Sequence, residues 1–487
     1  VTATDPAPAR RAAASCDAQQ ARQRRHRGLV PLALAVAMAR LVRLVSRALG
    51  RGGTTLPGRV LLALRGDALP RLARRLDHGS VLISATNGKT TTAAMLAHVL
   101  DAAGFAVVHN QAGSNLIWGV GTALLGARRG AGQIGIFEVD EAWLGAIARA
   151  VTPRVVVLAN LFRDQLDRYG ELERLADDWY EVVRELSPTG TRFVLASDDP
   201  LVADLAGGVD RTSPPPLYFG IEDDTCALAA RDHAADATHC RRCGAPYRYR
   251  AVWAGHLGRY ECANCGHRRP DPDIAAERVV LEGTRGTRIE IRDRPRDSAA
   301  TVALPLPGLY NAYNALACTA AARSLGVDVA RSAAALATFR AAFGRVETVE
   351  LDGRELVILL IKNPAGANAV LRTLALEEEP LCLWIALNDG VADGRDVSWI
   401  WDADFELLRG RVRSVVCSGS RAPELALRLK YAELEAPIAV QRELRLSLEE
   451  AVRNADRRLY VLPTYTALLD IRTWLAKRGA VAHWARR

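Results

Sequence analysis

The chain of 487 residues is predicted to be an α/β protein: a P-loop body on a parallel sheet, interrupted by a four-cysteine ribbon, then a second, Rossmann-like α/β body. Three observations carry this expectation. From Val81 onward short apolar runs alternate with amphipathic helical patterns, and such alternation packs helices on both faces of a parallel sheet. The first run, Val81 to Ser84, breaks into the small-residue loop Ala85-Thr86-Asn87-Gly88 and reopens as a helix at Lys89-Thr90-Thr91-Thr92. Two Cys-x-x-Cys pairs, eighteen residues apart, then interrupt the alternation.

Hydrophobic residues make up 49% of the chain and charged residues 24%, which suits a globular protein with two or three cores. The net charge of +9 is carried by arginine, since lysine occurs only as Lys89, Lys362, Lys430 and Lys477. A basic balance fits nucleic acid, an anionic membrane surface or phosphorylated substrates alike. Of nine cysteines, four are paired by spacing and five are scattered; this fits a reducing cytoplasm and one metal site, not a disulfide scaffold.

Residues 1–28, rich in Ala, Arg, Pro and Gln without apolar periodicity, are expected to be disordered. Residues 29–55 are expected to hold a basic amphipathic helix. Its apolar start, Leu29 to Ala39, is too short to span a bilayer, and Arg40, Arg43 and Arg47 follow at helical spacing. Such a helix packs on the body of the protein or lies on the cytoplasmic face of an anionic membrane, and packing is the favoured reading. Residues 56–345 are read as the first body, with the ribbon inserted at 238–268. Its strands are expected at Val81–Ser84, Ile134–Glu141, Arg154–Asn160 and Arg192–Ala196, with a helix Glu171–Leu186 and a hairpin within Arg278–Arg292. Residues 346–487 form the second body, with strands at Leu356–Ile361, Leu381–Leu387 and Ser414–Ser418 and a closing strand and helix from Leu459 to Arg478. Lys362 to Gly366 and Asn388 to Asp396 are read as loops.

The loop before Lys89 points successive backbone N–H groups and the positive end of a helix at one spot, which suits a polyphosphate. Lys89 adds a mobile cation for the β- and γ-phosphates, and Thr90 a hydroxyl for Mg²⁺. The match is partial, because Ile83 stands where the general pattern has its first glycine; the competing reading is an ordinary strand-to-helix turn, which rarely needs Gly-Lys-Thr. Cys240/Cys243 and Cys262/Cys265 are each followed by glycine, Gly244 and Gly266. Two such knuckles present four thiolates to one zinc, and with no position left open the site is expected to be structural.

Thr86-Asn87-Gly88-Lys89-Thr90-Thr91 resembles the ATP loop of the Mur ligase superfamily, which joins a carboxylate to an amine through an acyl-phosphate. The resemblance implies that these six residues bind ATP and that Glu138, at a strand end, holds Mg²⁺ with Thr90; alone, such a glutamate reads as a solvated residue. Asn160 to Asp167 resembles a segment that carries a metal-binding histidine, with Gln165 in its place. Gly308 to Asn314 resembles an element lining the adenine pocket, with Tyr310 replacing a histidine, and so implies roles for Asn311 and Asn314. Arg345 matches an arginine on the nucleotide side. Without the resemblance, Asn311, Asn314 and Arg345 read as a helix cap, a helix surface and a linker charge. About 50 potentially ordered residues precede the P-loop, too few for the UDP-binding domain of complete Mur ligases. No lysine lies between Lys89 and Lys362 to be the carbamylated lysine of several members.

From Arg40 to the end the chain is similar to the MurT subfamily, the ligase subunits of lipid II isoglutaminyl synthases. The similarity is carried by Arg163 to Gly170, Lys362-Asn363-Pro364-Ala365-Gly366, Asn388-Asp389, Ala392 to Asp402 and Thr464-Tyr465-Thr466-Ala467. It implies ATP-dependent amidation of the D-glutamate α-carboxylate of the lipid II stem peptide, with ammonia from a GatD-type glutaminase partner in a heterodimer and with no nucleic acid. It implies catalytic roles for Lys89 and Glu138, and for Asp396 as the acid that reaches the partner's catalytic histidine. From the residues alone, Asp389, Asp393, Asp396, Asp402 and Asp404 read first as a solvated turn or helix caps. Two other readings stay open: another amide ligase of the superfamily, such as a folylpolyglutamate synthetase, and a nucleic-acid-binding P-loop ATPase with a zinc ribbon.

Overall fold

The computed structural model describes residues 30–48, 53–110, 114–163, 172–231, 235–340 and 346–481. The segment 1–28, Gln165 and Arg345 lie outside the described residues. The first body contains β1 (Ser80–Ser84), β2 (Ala106–His109), β3 (Gln133–Glu138), β4 (Val155–Leu158), β5 (Arg192–Ala196), β6 (Leu217–Ile221), β7 (Arg248–Ala254), β8 (Leu257–Glu261), β9 (Ile274–Leu281), β10 (Thr287–Asp293) and β11 (Ser298–Leu304). Nine of these form one sheet in the order β11-β10-β9-β6-β5-β4-β1-β3-β2, while β7 and β8 pair apart as the ribbon hairpin.

β1, apolar between its terminal serines, and β4, apolar throughout, are buried along their whole length, as strands covered by helices on both faces must be. β1 lies parallel to β3 on one side, with Ile83 opposite Glu138, and to β4 on the other, with Ser84 opposite Leu158. The chain therefore reverses its direction of winding at β1, and the loops leaving β1, β3 and β4 open on one crevice. The strand expected to reach Glu141 ends at Glu138, and Glu141–Trp143 is a 3₁₀ turn capped by Asp140. The expected hairpin is the first part of an antiparallel meander, β9-β10-β11. Its third strand, Ser298-Ala-Ala-Thr-Val-Ala-Leu304, is rich in alanine and carries little strand propensity of its own.

The second body contains β12 (Glu347–Leu351), β13 (Arg354–Ile358), β14 (Leu381–Ala386), β15 (Val412–Ser418), β16 (Ile438–Val440) and β17 (Arg458–Pro463), in the order β12-β13-β17-β14-β15-β16. Only the β12–β13 pair is antiparallel. Leu381, Leu383 and Ile385 pack into the core on one face of β14, and Cys382, Trp384 and Ala386 into that on the other. Lys362 to Gly366 is not a simple loop. Asn363 caps the helix Pro364–Leu374, its Oδ1 accepting from Gly366 N at 2.8 Å, with proline in the first turn where no N–H is needed.

The basic helix runs Leu32–Ala48 and packs on the helix Leu56–Leu64 through Ala35, Val36, Ala39 and Ser46. Its large apolar side chains, Leu34, Met38, Leu41, Leu44 and Val45, face outward. Small residues let the two helices approach closely, so packing uses the face with the least hydrophobic bulk. Among the described residues no helix is long and apolar enough to cross a membrane.

Candidate active site

Gly88 enters the helix Lys89–Ala102 at φ +88°, and a Cβ there would stand 2.0 Å from Asn314 Oδ1. Both the left-handed backbone and the close approach demand glycine. Asn160, just past β4, brackets the loop: its Oδ1 accepts from Asn87 N at 2.9 Å and its Nδ2 donates to Asn87 O at 3.0 Å. Phe162 N donates to Thr86 Oγ1 at 3.0 Å. The first-turn N–H groups of a helix lack intrahelical partners, and here that turn opens on a cleft lined in part by Gly88, Thr91 and Asn314.

Thr90 Oγ1 donates to Glu138 Oε1 at 2.7 Å. Glu138 is buried, and its Oε2 has no hydrogen-bond partner among the described residues. Asn110, at the end of β2, locks the glutamate's backbone: Glu138 N donates to Asn110 Oδ1 at 2.9 Å, and Asn110 Nδ2 donates to Glu138 O at 2.8 Å. A buried carboxylate oxygen without a donor is costly unless a cation meets it, so the pair has the donor chemistry of a Mg²⁺ site.

Lys89, expected as a cation reserved for phosphate, is ion-paired: Nζ lies 3.0 Å from Glu141 Oε2 and donates to Ala85 O at 2.9 Å. Both side chains are buried, and a buried ammonium needs such partners. Burial pushes the Glu141 carboxyl above its ordinary range, against the pull of Lys89. The second body closes the other side of the cleft. Lys362 Nζ donates to Thr86 O at 3.3 Å and Asn363 Nδ2 to Asn87 Oδ1 at 3.1 Å.

The structure brings Thr86, Asn87, Gly88, Lys89, Thr90, Thr91 and Glu138 together. Asn314 lines the cleft, but Asn311 stands behind it, 1% exposed, accepting from Asn314 Nδ2 at 3.0 Å and donating to Pro307 O at 2.8 Å. Asp396 is exposed in the second body, where its Oδ1 accepts from Ser398 N at 2.8 Å, and it does not line the cleft. Three of its neighbours tie elements together rather than forming a solvated turn. Asp393 accepts from Thr466 N at 2.8 Å, Asp389 pairs with Arg421 at 2.8 Å and Asp404 accepts from Asn368 Nδ2 at 3.0 Å. Glu141, Asn110, Asn160 and the Lys362-Asn363 contact were not expected from sequence. The signal for the last was Asn-Pro at a helix start.

In the ribbon, the sulfurs of Cys240, Cys243, Cys262 and Cys265 lie within 4.8 Å of one another. Cys240–Cys265 is 3.6 Å and Cys243–Cys262 3.4 Å, near the edge of about 3.8 Å of a tetrahedron with Zn–S arms of about 2.3 Å. Each knuckle turns at a left-handed glycine, Gly244 at φ +74° and Gly266 at φ +72°. The donor set and its geometry fit one zinc ion.

The chain matches the family model for the Mur ligase middle domain over residues 83–322 and that for the MurT ligase C-terminal domain over residues 360–468. Fold and site thus define a Mur ligase-type, ATP-dependent ligase. The chain belongs to the MurT family. It is 33% identical over 437 residues to the lipid II isoglutaminyl synthase (glutamine-hydrolysing) subunit MurT of Staphylococcus aureus (strain N315), covering 89% of this chain and 95% of that one. It is 34% identical over 438 residues to the same-named subunit of Streptococcus pneumoniae (strain ATCC BAA-255 / R6), covering 89% and 94%. Among solved structures, a pseudomurein peptide ligase type C from Methanothermus fervidus shares the fold at a TM-score of 0.64 and 21% identity, over 86% of this chain and 84% of that one. MurF ligase from Thermotoga maritima in complex with ADP does so at 0.58 and 18%, over 87% and 85%.

Proposed function

We propose that this chain uses ATP to convert the D-glutamate α-carboxylate of the lipid II stem peptide into an acyl-phosphate, which ammonia turns into the D-isoglutamine amide. The observation that supports it most is the Thr90–Glu138 pair, with one buried carboxylate oxygen unpartnered, beside Lys89 at a helix N-terminus. Lys89 and the first-turn N–H groups hold the phosphates, and Glu141 keeps the ammonium over the loop until they arrive. Thr90 and Glu138 hold Mg²⁺, which when bound neutralises charge between donor and acceptor oxygens. Lys362 brings a second cation to the loop from the second body, so the acceptor carboxylate is received between the two bodies. A carboxylate oxygen attacks the γ-phosphorus and ADP leaves. Ammonia then attacks the acyl carbon, and phosphate leaves with that oxygen. Cations fixed in advance in a closed cleft contribute more than they do in water.

A GatD-type glutaminase is the proposed ammonia source, bound as a heterodimer on the second body, where Val391, Trp401 and Tyr431 are exposed, as is Asp396. The names of the curated relatives, subunits of a glutamine-hydrolysing synthase, support this. The test is amidation of lipid II by the purified chain with ATP, Mg²⁺ and ammonium. The expected result is one phosphate released per amide formed, with glutamine unable to replace ammonium. No amide with ammonium present overturns the activity, and efficient use of glutamine by the single chain overturns the partner.

Metal analysis should find one structural zinc per chain, and Cys243→Ser should reduce its occupancy and lower stability by at least about 2 kcal/mol. Zinc-free native protein, or full occupancy in the variant, contradicts this. The outward face of the helix Leu32–Ala48, flanked by Arg43 and Arg47 and free of acidic residues, is proposed to rest on the anionic cytoplasmic membrane surface that presents the lipid substrate. Leu41 and Leu44, 61% and 65% exposed, lie on that face. Vesicles containing phosphatidylglycerol should sediment the full chain, and Leu41→Glu with Leu44→Glu should cut that binding several-fold. Equal binding by the variant contradicts a membrane role for this face.

A further inference from the structure

The cleft beside the P-loop has a wall that the nucleotide reading does not explain. Ala254, Gly255 and Leu257, the tip of the β7–β8 hairpin, line it together with Ala365, Ala369 and Val370 of the second body. All six residues are apolar, and Gly88 and Thr91 of the P-loop line the same cleft. An apolar lining with a few polar groups is the setting that takes an aromatic ring.

The tip is held firmly by its surroundings. His256, fully buried between Gly255 and Leu257, packs on Phe162 with ring centroids 4.6 Å apart and planes tilted by 47°, and its Nδ1 accepts from Asp236 N at 3.3 Å. Tyr249 Oη donates to His256 O at 3.0 Å and to Ala237 O at 3.1 Å. Gly258 N donates to Asp198 O at 2.9 Å. The same Asp198, fully buried, accepts from Arg269 Nε at 2.7 Å, just beyond the second cysteine knuckle, and from Tyr313 Oη at 2.7 Å, on the helix that carries Asn314. Asp198 therefore joins three elements: its backbone carbonyl holds Gly258 beside the hairpin tip, and its carboxylate holds Arg269 at the exit of the cysteine ribbon and Tyr313 on the helix that carries Asn314.

We propose that the ribbon's hairpin tip, Ala254–Leu257, is the wall that receives the purine base of the nucleotide, held in place by the four-cysteine cluster at the ribbon's other end. The ribbon is then part of the nucleotide site, and its metal sets nucleotide affinity rather than only stability. This rests on the reading that the P-loop binds ATP, and the test separates the two. Binding of a non-hydrolysable ATP analogue and of inorganic tripolyphosphate, each with Mg²⁺, is measured by calorimetry on the full chain and on Ala254→Trp, which fills the base end of the cleft from a half-buried position. The expected result is a loss of at least tenfold in affinity for the analogue with tripolyphosphate binding unchanged. Cys243→Ser, in folded protein, is expected to move the analogue in the same direction and to spare tripolyphosphate. Unchanged affinity for the analogue in Ala254→Trp overturns the proposal, and so does an equal loss of both probes. If the native chain binds neither, the P-loop reading fails and this one with it.

Discussion

Lys89→Ala is expected to lower ATP-dependent amidation by a factor on the order of a thousand, the scale of losing a preorganised charge at the reacting phosphates. The same change is expected to destabilise the protein, because Glu141 stays behind in a buried place without its partner. Stranding one member of a buried ion pair costs about 3–5 kcal/mol. The sign of its pH dependence follows from burial. Burial raises the folded-state pKa of Glu141, and in the variant the opposing pull of Lys89 is gone. A carboxyl whose folded pKa lies above its unfolded value binds protons more readily when folded, so its penalty is present at neutral pH and fades as pH falls through the raised pKa. Unfolding midpoints of the variant should therefore approach those of the native chain on acidification. Glu141→Gln added to Lys89→Ala should recover much of the stability at neutral pH and none of the activity. Recovery of activity in the double variant would show that Lys89 serves the fold alone.

Asp396→Asn is expected to reduce glutamine-dependent amidation by the assembled pair about a hundredfold or more, the scale of losing the acid of a Cys-His-acid triad. Ammonium-dependent amidation and ATP binding by the same variant should be nearly unchanged. The geometry singles out Asp396 among its neighbours. Asp389, Asp393 and Asp404 hold elements of the second body together, and Asp402 lies 3.4 Å from Arg163 of the first. Asp396 bonds within its own turn to Ser398, a contact that holds its carboxyl below the usual range and keeps it ionised. An exposed, ionised carboxylate suits contact with a second protein's imidazolium. Equal losses with both nitrogen sources would place Asp396 in the fold instead.

The parts of this site that could be read from sequence are those contiguous along the chain. The P-loop is one run of residues, and each cysteine knuckle is a four-residue motif with its glycine. Pairs made by the fold were illegible without a register. Thr90 meets Glu138 across 48 residues, Lys89 meets Glu141 across 52, and Asn363 meets Asn87 across 276. Only the family resemblance marks Glu138. Glu141, three residues on, carries no signal of its own, because the apolar run before it reads as a strand continuing through it. The basic helix shows the opposite failure: its pattern revealed amphipathicity, but periodicity does not say which face turns inward, and here the face of alanines does.

Transfer of phosphate to a carboxylate at the Lys89–Thr90–Glu138 site leaves an isotopic trace. Lipid II carrying oxygen-18 in the D-glutamate α-carboxylate is incubated with the chain, ATP, Mg²⁺ and ammonium. Each phosphate released during amidation is expected to carry one labelled oxygen, with no labelled phosphate formed by Lys89→Ala. Amide formation with unlabelled phosphate would rule out the acyl-phosphate.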